Sequence, residues 1–332
     1  VTSRSENRDG THRVVGSKSR YARSDLSGIK TRSIHGRPSK VRLDQLGKPY
    51  RPGSRFIEFL ENLPDVLSAR DLRSLVDAVV RARSEGRSRI LMLGGHVIKC
   101  GIGPLLIQMM ERGAVSALAG NGSVAIHDFE LAMWGQTSED VAETLVHGDF
   151  GMTEETAVIM NEAILEGYRG DLGLGESLGE RVLRDAPHAR ESILATAVRL
   201  SIPVTIHVGI GTDTIHQHPT ASGEAIGETT YRDFLAFAKQ VEGLGEGGVV
   251  INMGSAVILP EVFLKAVSIA RNLGGPVEGF VAANFDMLMH YRARENVVRR
   301  PTLGGGRGFT FLGQHEVLLP LFFSAVLEEL ES

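Results

Sequence analysis

Ile90-Leu91-Met92-Leu93-Gly94-Gly95-His96 is a run of continuous apolar residues that ends on glycine and a polar side chain. A strand that is apolar without alternation is buried on both faces, as in a parallel sheet, and glycine at its end lets the backbone turn sharply. Four further short, mainly apolar runs are each followed by a Gly, Asn or Asp cluster: Val115 to Ala119, Val204 to Val208, Val249 to Met253 and Val277 to Ala282. Segments with helical spacing lie among them, Pro104 to Arg112, Glu191 to Leu200, Tyr231 to Gly243 and Pro260 to Asn272, and Leu60 to Arg83 reads as a helical lead-in. Strands alternating with helices predict an α/β fold, a doubly wound and mostly parallel sheet of Rossmann-like form. The glycine-dense stretches Gly170 to Gly179 and Arg299 to Gly308 read as surface loops or interface segments.

The 332 residues are 42% hydrophobic and 23% charged, with a formal net charge of -4, so the overall balance points to neither a nucleic-acid nor a membrane-surface partner. Residues 1–40 are rich in Arg, Lys, Ser and Gly, contain only Glu6, Asp9 and Asp25 as acids, and show no apolar period. They read as a flexible basic arm, leaving 41–332 as one domain. An Arg- and Ser-rich start also resembles an organelle transit segment, although without an amphipathic stripe. Cys100 is the only cysteine, which excludes an intrachain disulfide and fits a reducing cytoplasm. No run approaches the roughly 18 to 20 apolar residues of a bilayer span, so a soluble protein is expected.

In open α/β sheets, ligands bind outside the carboxyl ends of the strands. The glycine and polar clusters there are Gly94-Gly95-His96, Gly120-Asn121-Gly122-Ser123, Gly211-Thr212-Asp213, Gly254-Ser255-Ala256 and Ala283-Asn284-Phe285-Asp286. One such cluster is ordinary turn chemistry, whereas five converging on a crevice suit a dinucleotide or another large polar ligand. A Gly-x-Gly-x-x-Gly fingerprint is missing, which disfavours an ordinary Rossmann dehydrogenase. Ile126-His127-Asp128-Phe129-Glu130 has two readings: a proton shuttle beside carboxylates, or a helix cap at Asp128 with a structural His127. His207, Asp213, His216 and His218 lie close in sequence; their spacing suits hydrogen bonding to substrate better than a metal site. Lys99 is a candidate partner for a phosphate or carboxylate, and Cys100 a small core residue.

The order of these motifs resembles the deoxyhypusine synthase family, from Ile90-Leu91-Met92-Leu93-Gly94 and Cys100-Gly101-Ile102 through Val115 to Ser123 and Asp128. It continues with Ile202-Pro203-Val204 before Thr212-Asp213, Val249-Val250-Ile251 before Gly254-Ser255, and Ala283-Asn284-Phe285-Asp286. The resemblance spans roughly Arg89 to the C-terminus. It implies an NAD-binding domain in a homotetramer with active sites between paired subunits. Gly94, Gly95, Gly120 to Ser123, Asp213, Gly254, Ser255, Ala283, Asn284 and Asp286 would then surround NAD, with His127 and Asp128 near the substrate.

The family's aminobutyl transfer uses a lysine in a Trp-Gly-Lys motif, and here every position from Ala266 to Ser332 is lysine-free. Arginine does not form the imine, so deoxyhypusine synthesis is not expected. The stretch from Gly120 to Glu130 also looks like the NAD-binding domain of a second type of ornithine cyclodeaminase. The expectation is therefore an NAD-dependent enzyme acting on an amine or basic amino acid, by C–N oxidation followed by deamination or aminoalkyl transfer. Catalytic candidates are His127, Asp128, His207 and Asp213; candidate substrate contacts are Lys99, Glu130, His216 and His218. The alternatives are a catalytically silent NAD-binding module and a metal hydrolase built on His207, His216 and His218.

Overall fold

The computed structural model describes residues Arg20–Glu331; the part of the basic arm before Arg20 lies outside the described residues. The chain divides after Leu43 into two units. Of the first, residues 20–43 are exposed throughout and carry a 3-10 turn at Ile34–Gly36.

In the second unit, α1 (Phe56–Glu61) and α2 (Leu67–Ser84) precede β1 (Arg89–Leu93). The short α3 (Gly95–Lys99) and α4 (Gly103–Glu111) lead to β2 (Ala117–Asn121). Then come α5 (Gly122–Trp134), α6 (Val141–His147), α7 (Glu154–Arg169), α8 (Leu174–Asp185) and α9 (Ile193–Arg199), before β3 (Val204–His207). The chain continues through α10 (Gly223–Glu242), β4 (Val249–Met253), α11 (Ile258–Asn272), β5 (Val281–Asp286), β6 (Arg307–Leu312) and α12 (His315–Glu331).

Among the described residues the strands form a six-stranded sheet in the order β3-β2-β1-β4-β5-β6, each pair parallel. The order reverses between β1 and β4, the switch point at which a doubly wound sheet opens a crevice. Leu93 lies opposite both Gly120 and Met253, Met253 opposite Phe285, and Phe285 opposite Phe311. The strand ends are thus level, and the turns beyond them share one rim. Below the rim, Leu91, Leu93, Ile251, Met253 and Phe285 pack with residues of α2, α4, α5 and α12. On the opposite face Ile90, Met92, Val250 and Ala282 pack with Phe237 of α10 and Phe263 of α11. Each large apolar side chain so buried contributes about 1.5–3 kcal/mol by leaving water.

The doubly wound parallel fold is the one expected, with shifts in its parts. The helical lead-in is two helices, because Pro64 in the intervening stretch has no N–H to continue the first. β2 begins two residues later than its apolar run, so Gly120 and Asn121 are strand residues. β5 begins at Val281, which places Ala283, Asn284, Phe285 and Asp286 within the strand rather than in a loop after it. The stretch Gly170 to Gly179 is largely the start of α8, with Gly175 and Gly179 buried in it. A Cβ at Gly175 would overlap the Val204 carbonyl oxygen, so glycine lets α8 lie directly on β3. Arg299 to Gly308 holds the end of a π-helical stretch (Ala293–Arg299), a 3-10 turn (Pro301–Leu303) and the start of the edge strand β6.

Two buried carboxylates join these helices. Asp233 of α10 accepts the Gly175 and Ile206 amides at 2.8 and 2.6 Å, and its burial raises its pKa to about 7 against the lowering effect of those bonds. Asp128 of α5 accepts Ser192 Oγ at 2.5 Å and the Ile193 and Leu194 amides at 2.8 and 3.2 Å. The expected catalytic role of Asp128 is corrected accordingly: its oxygens hold the N-terminus of α9, a different helix from its own. Burial raises its pKa to about 6, opposed by the same three bonds.

Gly175→Ala is expected to destabilise the chain by about 1–3 kcal/mol through overpacking. Gly227→Ala, in the middle of α10 with nothing within 4 Å of the added Cβ, is expected to stabilise it by about 0.5–1 kcal/mol. Urea denaturation of the two variants measures both signs.

Asp128→Ala strips partners from buried donors, at about 1–3 kcal/mol each. Its pH dependence has a definite sign. The folded-state pKa lies above the ordinary 3.8, so between about pH 4 and 6 the folded chain keeps a proton that the unfolded chain has released. Stability from this group therefore falls as pH rises through that window. Subtracting the variant's denaturation curve from the parent's across this range should isolate that fall; a difference independent of pH would refute it.

Candidate active site

At the switch point the chain leaves β1 through Gly94. A Cβ on Gly94 would overlap the Gly254 carbonyl oxygen, and one on Gly95 would overlap Ser123 Oγ. The turn after β1 is therefore wedged between the turn after β4 and the first turn of α5. Asn121 Oδ1 accepts the Val124 amide at 3.1 Å and caps α5. A Cβ at Gly122 would run into the Asp213 carboxylate, which lies over the same helix start.

Beside this junction lies a cavity of about 660 Å³. Its charged lining is acidic, with Glu130, Glu139, Glu155 and Asp213 against the single ammonium of Lys99. Ser123, His127, Thr137 and Thr156 add polar contacts, while Ile126, Trp134, Phe150 and Ile215 form apolar wall. A net excess of carboxyl groups in a partly desolvated pocket favours a cationic ligand.

His127 and Glu130 are three apart on α5 and so share a face. His127 Nδ1 lies 2.7 Å from Thr137 Oγ1, and Thr137 Oγ1 donates to Glu130 Oε2 at 2.5 Å. Burial, and then the Lys99 ammonium, bring the His127 pKa down to about 4. The ring is neutral at neutral pH, so its free titration lies outside the range expected for a proton shuttle. Asp213 is raised by burial, opposed by His216 and a hydrogen bond from Thr212, and His216 is lowered by its own burial.

Of the expected site residues, the structure brings Lys99, Ser123, His127, Glu130 and Asp213 together on this cavity. It does not bring the other histidines there. His207 is fully buried on the α10 side of β3, edge-on to Phe237 and within 3.0 Å of Thr205 Oγ1, with its pKa lowered by burial to about 3. His216 Nδ1 accepts the Gly211 and Asp213 amides at 3.1 and 3.3 Å, which shapes its own turn. His218 Nδ1 meets Thr220 Oγ1 at 2.8 Å. Among the described residues no three His, Cys, Asp or Glu side chains form a metal-binding group, so the hydrolase alternative lacks a ligand set. Cys100 is half-buried, with its sulfur near Glu316.

The second half of the rim is built from β4, β5 and α12. Ala283 is packed in the core and does not face the rim. Ser255 Oγ accepts the Leu259 amide at 3.2 Å. Asn252 Nδ2 donates to Asn284 Oδ1 at 2.7 Å and to the Ser255 carbonyl at 2.9 Å. His315 Nε2 lies 3.3 Å from the Phe285 carbonyl, and the ring stands over Gly254. Four buried polar atoms here have no partner among the described residues: Asn252 Oδ1, Asn284 Nδ2, Asp286 Oδ2 and His315 Nδ1. Asn252 and His315 were not singled out in the sequence, although an asparagine inside an apolar strand was a usable signal. Thr137 and Thr156 gave none, since isolated threonines outside strands are commonplace.

Among the described residues no helix is long and apolar enough to cross a membrane. No protein-family model and no curated protein matches the chain. Similar solved structures include apo ArgZ, an arginine dihydrolase from the ornithine-ammonia cycle in cyanobacteria, at 15% identity and a TM-score of 0.49. That match covers 79% of this chain and 33% of the other, so the chain spans about a third of its length. A ternary complex of AgrE with ornithine and NAD+ is similar at 17% identity and a TM-score of 0.47, over 80% of this chain and 34% of that one. A structure assigned as a deoxyhypusine synthase from Entamoeba histolytica is similar at 11% identity and a TM-score of 0.48, over 85% of this chain and 96% of that one.

Proposed function

We propose that the chain is an NAD-dependent enzyme that oxidises a C–N bond of an amine or basic amino acid, followed by deamination or aminoalkyl transfer. The observation that carries the reading is the acid-lined cavity beside the β1–β4 reversal. Two features of the chain fit the cofactor. Gly94 and Gly254 lie back to back at the switch point, where a pyrophosphate approaches backbone. The unpartnered atoms of Asn252, Asn284, Asp286 and His315 offer hydrogen bonds beside them. Bound NAD would accept a hydride from the carbon bearing the amine.

The chain's own groups divide the remaining work. Glu155 and Asp213 attract the ammonium, and Lys99 pairs with a carboxylate of the substrate or a phosphate of the cofactor. Deamination after the oxidation needs no lysine carrier for an aminobutyl group, which agrees with the lysine-free stretch from Ala266 to Ser332. A homotetramer with sites at a dimer interface belongs to the same reading, and the exposed Leu288, Met289 and Tyr291 after β5 supply apolar surface for it. A silent NAD-binding module is the second reading, favoured by a His127 held neutral and by the missing lysine.

Incubation of the pure chain with NAD and a panel of diamines and basic amino acids separates the two. NAD is expected to raise the melting temperature by mass action, and at least one amine should generate reduced cofactor, read by its near-ultraviolet absorbance. Glu155→Gln should weaken that amine by about tenfold or more, the worth of a charge-assisted bond, and leave NAD binding unchanged. Stabilisation by NAD without turnover would select the silent module; no stabilisation would sink both. Native mass spectrometry of the same sample should show bound NAD and four subunits, and a monomer would refute the assembly.

A further inference from the structure

Glu130 lines the acidic cavity, and each of its oxygens accepts a hydroxyl. Oε1 accepts Thr156 Oγ1 at 3.0 Å and Oε2 accepts Thr137 Oγ1 at 2.5 Å. A threonine hydroxyl has one proton, and an ionised carboxylate only accepts. The Thr137 proton therefore lies on the line to Glu130, and the oxygen turns a lone pair toward His127 Nδ1, 2.7 Å away. Nδ1 must then carry hydrogen, and in a neutral imidazole the other nitrogen is left as an acceptor. Among the described residues no hydrogen bond reaches that Nε2.

We infer that Glu130 and Thr137 are positioning residues that lock His127 as its Nδ1–H tautomer, so that Nε2 serves as a neutral hydrogen-bond acceptor for an N–H of the cationic ligand. The inference rests, for its ligand, on the amine reading above, and it changes the part expected of Glu130. With a hydroxyl on each oxygen, the Glu130 carboxylate acts through Thr137 on the ring. Burial and Lys99 keep that ring uncharged, which preserves the acceptor at neutral pH. A quaternary ammonium has no N–H to offer and should be discriminated against.

The test uses the full chain, labelled with 15N-histidine, at neutral pH. Nitrogen–proton correlation spectra should show His127 with a protonated Nδ1 and a bare Nε2. Thr137→Val, which keeps the shape but removes the bridging hydroxyl, should shift the ring toward the other tautomer and weaken putrescine binding by about tenfold, the scale of a hydrogen bond to a charged group. Thr137→Ser should restore both, with NAD affinity unmoved throughout. A parent ring found as the Nε2–H tautomer or as imidazolium overturns the inference, and so does a Thr137→Val spectrum unchanged from the parent. If the parent has the stated tautomer yet binds neither putrescine nor any other amine of the panel, the positioning role stands, while the amine reading and the ligand half of this inference fall.

Discussion

Gly94 rests on the carbonyl of Gly254, and there is space for a Cβ on neither: the first meets backbone, and the second has φ +69 with the His315 ring above it. This contact joins the turns of the two strands between which the sheet reverses. From it the positions of the cavity groups follow in sequence. The β1 turn sets α3 and hence Lys99; Gly95 against Ser123 sets the first turn of α5; and α5 carries His127 and Glu130 toward the cavity. Asp128, on another side of the same helix, is drawn into the amides at the start of α9. One helix thus separates a buried structural carboxylate from a cavity-facing pair only by its own periodicity.

Burial decides what each ionisable group can do. His207 and His127 are both pushed toward the neutral form, but only His127 borders the cavity. Asp128 and Asp233 are fully enclosed, and their cost is offset by hydrogen bonds from amides and a hydroxyl rather than by a counter-charge. Such carboxylates stitch elements together: removing either leaves donors stranded in the core. Asp213 is intermediate, buried against Gly122 yet on the cavity wall, with His216 beside it.

The sequence made the sheet legible because strands enclosed by helices are mainly apolar, as Ile90 to Leu93 of β1 and Val249 to Ile251 of β4 are. Its limits came where strand and site overlap. Gly120 and Asn121, and Asn284 and Asp286, look like loop residues because the strand ends carry the polar groups of the rim. β6 has no apolar run to mark it, because its first two residues, Arg307 and Gly308, are exposed at the sheet edge. The alternation of Phe309 and Phe311 was the available sign, and Phe311 stacks on Phe285 at 4.6 Å. The site was legible only in part, through Lys99, Ser123, His127, Glu130 and Asp213. Thr137 and Thr156 are 7 and 26 residues from Glu130, and only the tertiary fold makes them its partners.

The paired asparagines on β4 and β5 deserve a physical account, since they sit in register within an otherwise apolar layer. Their mutual hydrogen bond fixes both amide orientations, and that is what leaves Asn252 Oδ1 and Asn284 Nδ2 without partners. Each unpartnered atom costs about 1–3 kcal/mol, with no gain in folding to offset it. Replacement of the pair by apolar side chains would remove that cost, so the arrangement makes sense as one completed by something bound. With His315 Nε2 directed at the Phe285 carbonyl, its Nδ1 is an acceptor, as is Asp286 Oδ2. The set then comprises three acceptors and one donor. It complements a bound group that presents several hydrogen-bond donors and at least one acceptor.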